Sequence, residues 1–302
     1  MEILSEIIHQ DYLPYWEEMV GNWFLVFSFF FLAFEVTRYL IKKKMSWDMA
    51  GDTIANAITF IFYLGIGFVI AATYVTIFFV VYEYYRIFTI PITGWTILLC
   101  LILADVAYYW EHRTVHVIGI GWATHSVHHS SPHFNISVAY RFGPLDSVFP
   151  IFFHLPLAFI GFHPFVIFFC EMLVQLYQTA LHTEAIGKFP RWIEAVMNTP
   201  SHHRVHHGSN RKYLDKNYAG IFIIWDKMFG TFEEEQEKVV YGVTEPINSN
   251  NPLVVFSHGF GRLFGDMIKA DSVGKALSYL IKPPGWHPDE KKNKAVSPSA
   301  EN

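Results

Sequence analysis

Charged residues are scarce in this chain. Only 16% of its 302 residues are Asp, Glu, Lys or Arg, against about 25% in a typical soluble domain. The formal net charge of −5 is modest, so no basic surface for nucleic acid is expected. No internal repeat or low-complexity stretch is present, and only residues 289–302 have the composition of a disordered tail. This scarcity of charge argues against an ordinary soluble domain and indicates a membrane protein.

Cysteine is nearly absent as well. The chain has two, Cys100 and Cys170, and both stand inside apolar runs. Such a pair argues against the disulfide framework of a small secreted protein, and we expect both thiols to be buried and reduced. The basic start that a cleaved signal peptide needs is missing too, because the first residues are acidic. The first apolar run is therefore expected to be a retained membrane span.

Apolar and aromatic residues are abundant instead, at 52% and 18% of the sequence, with 29 phenylalanines. A helix needs about 20 apolar residues to cross a bilayer. Three runs meet this requirement, at residues 22–41, 53–81 and 92–110. The sequence therefore predicts an all-α membrane protein with about three transmembrane helices.

A fourth apolar region, residues 148–181, is interrupted by Pro156 and by the turn residues around Gly161. Its first leg, about 15 residues at 1.5 Å each, reaches about 23 Å and falls short of the roughly 30 Å hydrocarbon core. We expect a membrane hairpin that returns to the side it left. The lysine run 42–44 after the first span predicts that this side is cytoplasmic, with a helical cap there.

Ten of the 16 histidines fall in three clusters and one separate position. Spacings of three and four residues place imidazoles on one face of a helix. Imidazole binds zinc, copper, iron and nickel, and one zinc ion takes only three or four ligands, so ten candidates indicate two metal ions. The HExxH pattern of zinc proteases is absent. The predicted ligands are His112, His116, His125, His128, His129, His182, His202, His203, His206 and His207.

The same stretches resemble the fatty acid hydroxylase and sterol desaturase superfamily of membrane di-iron enzymes, and the later ones are most similar to alkylglycerol monooxygenases. The resemblance covers about residues 95–245 and includes "YYWEHRTVH", "WATHSVHHSSPHFN" and "NTPSHHRVHHGSNRKYLDKNYAG". It implies a dinuclear site in a cytoplasmic cap near the bilayer. The implied activity is that of a non-haem di-iron oxygenase that hydroxylates a C–H bond of a fatty acyl, ether or sterol-like lipid.

The resemblance also implies the cofactors and partners. Two iron ions would be bound, zinc can replace them in isolated protein, and O2, a membrane lipid and an electron-donor protein or reductant would be needed. Val117 stands where alkylglycerol monooxygenases carry an acid after the second histidine, which weighs against tetrahydropterin as the reductant. The implied location is a bacterial inner membrane or the endoplasmic reticulum.

Three acidic residues are candidates for positioning the ligands. Asp105 precedes His112 by two helical turns inside an apolar span, where an ionisable group is costly and often functional. Metal-binding histidines usually donate their other N–H to a carboxylate or carbonyl, so we expect Asp105 to orient a ligand. Glu184 and Asp226 are weaker candidates for the same role.

These predictions divide the chain into three parts: an N-terminal transmembrane region at 1–91, a catalytic domain at 92–250 that includes the hairpin, and C-terminal cap helices with the tail at 251–302. Two alternatives remain open. A lipid desaturase could use the same site, because only the placement of the substrate carbons differs. A metal-binding membrane protein or transporter without enzymatic activity is the other alternative, although a transporter would place its ligands near the bilayer midplane.

Overall fold

A computed structural model describes residues 13–288, and those residues form eleven α-helices and one 3₁₀ helix, with no β-strand among them. The predicted tail at 289–302 lies outside the described residues. The 3₁₀ helix is Ile136–Tyr140. The α-helices are α1 (Leu13–Ile41), α2 (Trp47–Tyr85), α3 (Gly94–Val117), α4 (Gly119–His129), α5 (Phe149–Ile160), α6 (Pro164–Leu181), α7 (Arg191–Glu194), α8 (Pro200–His206), α9 (Ile224–Phe229), α10 (Pro252–Ile268) and α11 (Val273–Ile281).

Four of these helices, α1, α2, α3 and α6, are long and apolar enough to cross a membrane. Their large apolar side chains face outward, and Phe68 on α2 is 85% exposed, as lipid-facing residues are. The three predicted spans and the hairpin are confirmed, although each helix is longer than its apolar run. The 39 residues of α2 extend about 58 Å, so this helix projects beyond the hydrocarbon core. The chain is an integral membrane protein; the cytoplasmic side of the cap stays a prediction.

The hairpin consists of α5 and α6. α5 has 12 residues and reaches about 18 Å, so it is the short leg that the sequence predicts. Gly161 ends it at φ 125°, and a Cβ built there would stand 2.1 Å from the carbonyl oxygen of Phe88. Only glycine fits this turn, and Pro164 then begins α6. The turn directs α6 back alongside α3, with the two cysteines, both free, buried between the two helices.

Buried polar contacts fasten the first two spans to the histidine-bearing segments. Glu35 of α1 accepts hydrogen bonds from the backbone N–H of Ile136, at 2.8 Å, and from the hydroxyl of Thr183. Asp52 of α2 accepts one from Arg141 at 2.7 Å. These contacts place the ends of α1 and α2 against the loops that follow α4 and α6. The fold therefore gathers all the histidine clusters at one end of the bundle.

Candidate metal centre

Nine histidines converge at this end of the bundle in two neighbouring groups. Within each group, one nitrogen from every ring lies within 4.8 Å of the others, and all the rings are buried except that of His125, which is partly buried. The groups adjoin, because the rings of His129 and His207 stack with centroids 4.4 Å apart. The group of five is His112, His116, His125, His129 and His206, and the group of four is His128, His182, His203 and His207.

The two H-x-x-H-H motifs each divide between the groups. His125 and His129, four residues apart on α4, turn to the group of five, while His128 between them turns to the group of four. The motif on α8 divides the other way, with His206 in the group of five and its neighbours in the group of four. A helix turns about 100° per residue, so adjacent histidines must diverge. Each motif thereby supplies ligands to two positions at once.

The outer nitrogens of four rings face backbone carbonyls. His112 Nδ1 lies 2.9 Å from Tyr218 O and His206 Nδ1 lies 3.0 Å from Lys216 O. His128 Nδ1 lies 3.2 Å from Arg141 O, and His182 Nδ1 lies 2.8 Å from Gln178 O. A carbonyl oxygen can only accept, so each Nδ1 carries the proton. In a neutral ring the Nε2 is then an unprotonated lone pair.

The inner nitrogens lie too close together to be left without a cation. His182 Nε2 is 3.2 Å from His128 Nε2 and 3.0 Å from His203 Nε2. The first two of these atoms carry no proton, so their lone pairs repel each other. His129 and His207 have an Nε2 that is buried without a hydrogen-bond partner, and such atoms call for an explanation. A bound metal ion would supply it, and each group of rings could hold one.

Burial keeps these rings neutral. It lowers the pKa of His182 to about 3 and that of His206 to about 4. It also lowers the pKa of His203 and His207, with nearby imidazoles adding to the effect. Neutral imidazole is the form that binds a metal. Near neutral pH these rings are therefore in the form that binds a metal ion.

His202 is not brought together with the other nine. Its ring meets Phe232 edge-on, with centroids 5.4 Å apart, and it belongs to neither group. A spacing of four from His206 would place the two rings on one side of α8, but the ring of His202 lies against Phe232 instead. The prediction that His202 is a ligand is not supported by its position.

Asp105 contacts a loop instead of a histidine. Its carboxylate accepts hydrogen bonds from Ile221 N at 2.6 Å, Phe222 N at 3.0 Å and Trp225 Nε1 at 2.7 Å. The loop comes close because residue 220 is glycine, where a Cβ would stand 2.4 Å from Asp105 Oδ1. Asp105 thus holds the chain just after Tyr218, whose carbonyl faces His112.

Asp226 holds the other side of the same loop. It accepts hydrogen bonds from Tyr218 N and Ala219 N, both at 2.8 Å, and from the Thr231 hydroxyl at 2.6 Å. Asp215 and Asn217 have positive φ, at 58° and 57°, a conformation that asparagine and aspartate adopt more readily than most residues. Asp226 therefore holds the loop whose carbonyls face His112 and His206, and its role in positioning these rings stays a prediction.

Glu184 is also separated from the histidine rings. Its oxygens accept hydrogen bonds from Tyr39 at 3.2 Å and Tyr241 at 3.3 Å. The ring of Tyr241 stacks on Phe134 at 4.9 Å and 6°, and Phe134 lies 5.0 Å from the ring of His207. Glu184 therefore supports the aromatic wall of the group of four.

Residues 97–231 match the family model described as fatty acid hydroxylase. Through these residues the chain is similar to the fatty acid hydroxylase family. All nine converging histidines, from His112 to His207, lie inside the matched segment. The family match and the metal geometry therefore concern the same part of the molecule.

The relatives of this chain include alkylglycerol monooxygenases. That of Homo sapiens is 43% identical over 210 residues, which are 69% of this chain and 46% of the relative. That of Xenopus tropicalis is 40% identical over 209 residues, 69% of this chain and 46% of the relative. That of Caenorhabditis elegans is 32% identical over 296 residues, 92% of this chain and 56% of the relative. The chain spans about half the length of these relatives. No solved structure matches it.

Sequence reasoning missed Arg141, whose carbonyl oxygen faces His128 Nδ1. It missed Asp146 as well, with Oδ1 at 3.9 Å from His125 Nδ1, where burial raises the pKa of Asp146 to about 6. Neither residue stands in a spacing pattern with the histidines. The "RFGPLD" stretch that contains both offers only a turn signal from Gly143 and Pro144.

Replacing Asp226 with Asn is expected to weaken metal binding by the group of five about 10- to 100-fold, as loss of an outer support of metal ligands commonly does. The Asn amide would present a donor to the N–H groups of Tyr218 or Ala219 and displace the loop carbonyl that holds His112. Metal retention during titration with a chelator measures the effect. Asp266→Asn, at an exposed position on α10, is the control and should leave retention unchanged. Equal retention in both variants would contradict the role of Asp226.

Proposed function

We propose that this chain is a membrane-bound non-haem di-iron oxygenase that hydroxylates a C–H bond of a lipid with O2. The observation that carries the proposal is the division of nine histidines into adjacent groups of five and four. One group alone would suit a single ion, whereas two adjacent groups suit a pair. The match to the fatty acid hydroxylase family model and the relatives named as monooxygenases support the reaction class.

The histidine rings would hold the two ions, and the chain's other residues would shield and orient them. When bound, a pair of iron ions supplies the redox chemistry in which O2 and two external electrons convert R–H and two protons into R–OH and water. Carbonyl acceptors fix four rings through Nδ1. Phe134, which stacks on Tyr241, would cover the group of four and exclude water from it.

Two alternatives are distinguished by products and by position. A desaturase on the same site would remove two hydrogens from the lipid and add no oxygen. A transporter would bind its metal near the middle of the spans, but His112 and His116 stand in the last two turns of α3 and the other seven lie in the segments beyond it. The position of both groups at the end of the bundle favours the enzyme.

The decisive experiment supplies ¹⁸O2 to cells with and without the protein and searches their lipids by mass spectrometry. Incorporation of one ¹⁸O atom into a lipid is the expected result, and alkylglycerols are the first lipids to examine because of the relatives' names. A shift of two hydrogens without ¹⁸O would establish the desaturase instead. If no lipid changes while the cellular metal content does, the enzyme proposal fails.

Metal content provides a second test. Protein isolated without oxygen and reconstituted with ferrous iron is expected to bind two ions per chain, one for each group. A count of one ion per chain would contradict a dinuclear site. Zinc bound in place of iron should give the same count, because imidazole serves both metals.

A further inference from the structure

A cleft of about 370 Å³ lies between α1, α2 and α6, bordered by the start of α5. Its volume is within the range of small-molecule sites in proteins, about 300–1,000 Å³. The cleft follows α2 from Tyr63 to Val75 and α6 from Phe168 to Gln175. Both stretches belong to helices that are long and apolar enough to cross a membrane, so a ligand could reach the cleft from within the bilayer.

Two short routes join the cleft to the histidines. Tyr63 lines the cleft and stacks on Phe142 with centroids 4.5 Å apart, and Phe142 in turn stacks on His128 at 6.4 Å. Ser147 also lines the cleft, next in sequence to Asp146, which lies 3.9 Å from His125. The cleft therefore approaches one histidine of each group, with Tyr63 and Phe142 standing between.

The lining has an apolar part and an acidic part. Gly67, Ala71 and Phe168 contribute apolar surface, whereas Glu17 and Glu171 contribute carboxyl groups. The Tyr74 hydroxyl donates to Glu171 Oε2 at 2.8 Å. An ionisable side chain inside a membrane span is costly and commonly functional. Among the described residues that line the cleft, none is Lys or Arg, so no cation is present to balance a negatively charged headgroup.

We propose that this cleft binds the lipid substrate and selects a long-chain lipid whose polar group donates hydrogen bonds and carries no negative charge. A hydroxyl or amine on the lipid would donate to Glu171, and the chain would lie along Gly67 and Ala71. A phosphate or carboxylate headgroup is excluded by the two acidic residues. That the bound lipid is the substrate rests on the proposed function, whereas lipid binding to the cleft can be measured without turnover.

The probe is a long-chain 1-alkanol that carries a photoreactive diazirine in its chain, added to the whole protein in nanodiscs. Crosslinks are expected in the peptides that contain residues 70–75 and 168–175. Non-photoreactive alkanol should compete, and the alkyl phosphate and fatty acid of the same length should not. Crosslinks confined to the outward lipid-facing surface, or equal competition by all three lipids, would overturn the proposal.

Two glycines on α2 give a matched pair of variants. A Cβ at Gly67 or Gly65 meets nothing within 4 Å, but Gly67 lines the cleft and Gly65 is absent from its lining. Gly67→Leu should fill the cleft and weaken alkanol binding about tenfold, which corresponds to ~1.4 kcal/mol. Gly65→Leu should bind as the parent does. Both variants should retain two metal ions, so a loss of binding is not a loss of the site.

Glu171→Gln tests the acidic part. The amide keeps an acceptor for the Tyr74 hydroxyl but has no charge, so competition by the alkyl phosphate should increase relative to the alkanol. Unchanged discrimination would overturn the assigned role of Glu171. Different results contradict the two proposals. Crosslinks at the expected peptides without any ¹⁸O product would contradict the oxygenase proposal. Formation of ¹⁸O product by Gly67→Leu at the parent's rate and KM would contradict substrate binding in the cleft.

Discussion

Replacing His203 with Ala is expected to remove the metal from the group of four and to abolish lipid oxidation. His203 Nε2 lies 3.0 Å from His182 Nε2 inside a fully buried group. The remaining three rings would bind the ion too weakly to retain it, and a dinuclear reaction fails when one ion is lost. Metal analysis should give about one ion per chain, and ¹⁸O incorporation should fall to the level of cells without the protein.

His202→Ala is the matched control, one residue away on the same short helix. Both side chains are buried, at 2% and 1% exposure, so the two substitutions remove imidazoles of similar burial. The ring of His202 contacts Phe232, and its loss should lower stability modestly while two metal ions and activity remain. If His202→Ala loses metal to the same extent as His203→Ala, the loss of a buried imidazole, and not the loss of a metal ligand, explains both results.

The spans and the histidines could be predicted from the sequence because each has a local signature. A crossing helix needs a long apolar run, and a histidine pair on one helical face needs a spacing of four. His128 illustrates the limit of that reasoning. Its neighbours His125 and His129 turn to the other group, and only the packing of α4 in three dimensions decides which ring belongs to which group.

The positioning acids show a second limit. Asp105 was expected to contact a histidine because it lies two turns before His112, but it accepts hydrogen bonds from residues 221, 222 and 225 instead. Its partners are more than one hundred residues away in the chain, and sequence spacing carries no information about such contacts. Asp105 therefore holds the chain that follows Tyr218 and contacts no histidine ring, and its role in orienting a ligand stays a prediction.

Arg141 has no sequence signal at all, yet it joins three parts of the site. Its Nη1 donates to Asp52 Oδ1 and Asn56 Oδ1, both at 2.7 Å, and its Nε donates to Val127 O at 3.0 Å. Its own carbonyl faces His128. Because the side chain is only 1% exposed, the ion pair with Asp52 is shielded from solvent and from salt.

Replacing Arg141 with Leu should therefore lower the free energy of unfolding by about 3–5 kcal/mol, since Asp52 keeps a buried charge without its counter-ion. Thermal denaturation in detergent measures the loss. The double variant Arg141→Leu with Asp52→Leu should recover much of it, because replacing both members of a buried pair with apolar residues is often neutral. Arg262→Leu breaks an exposed pair with Glu245 at 2.8 Å and should cost no more than about 1 kcal/mol. An Arg141 variant as stable as the Arg262 variant would show that the buried pair does not hold α2 to the histidine-bearing segment.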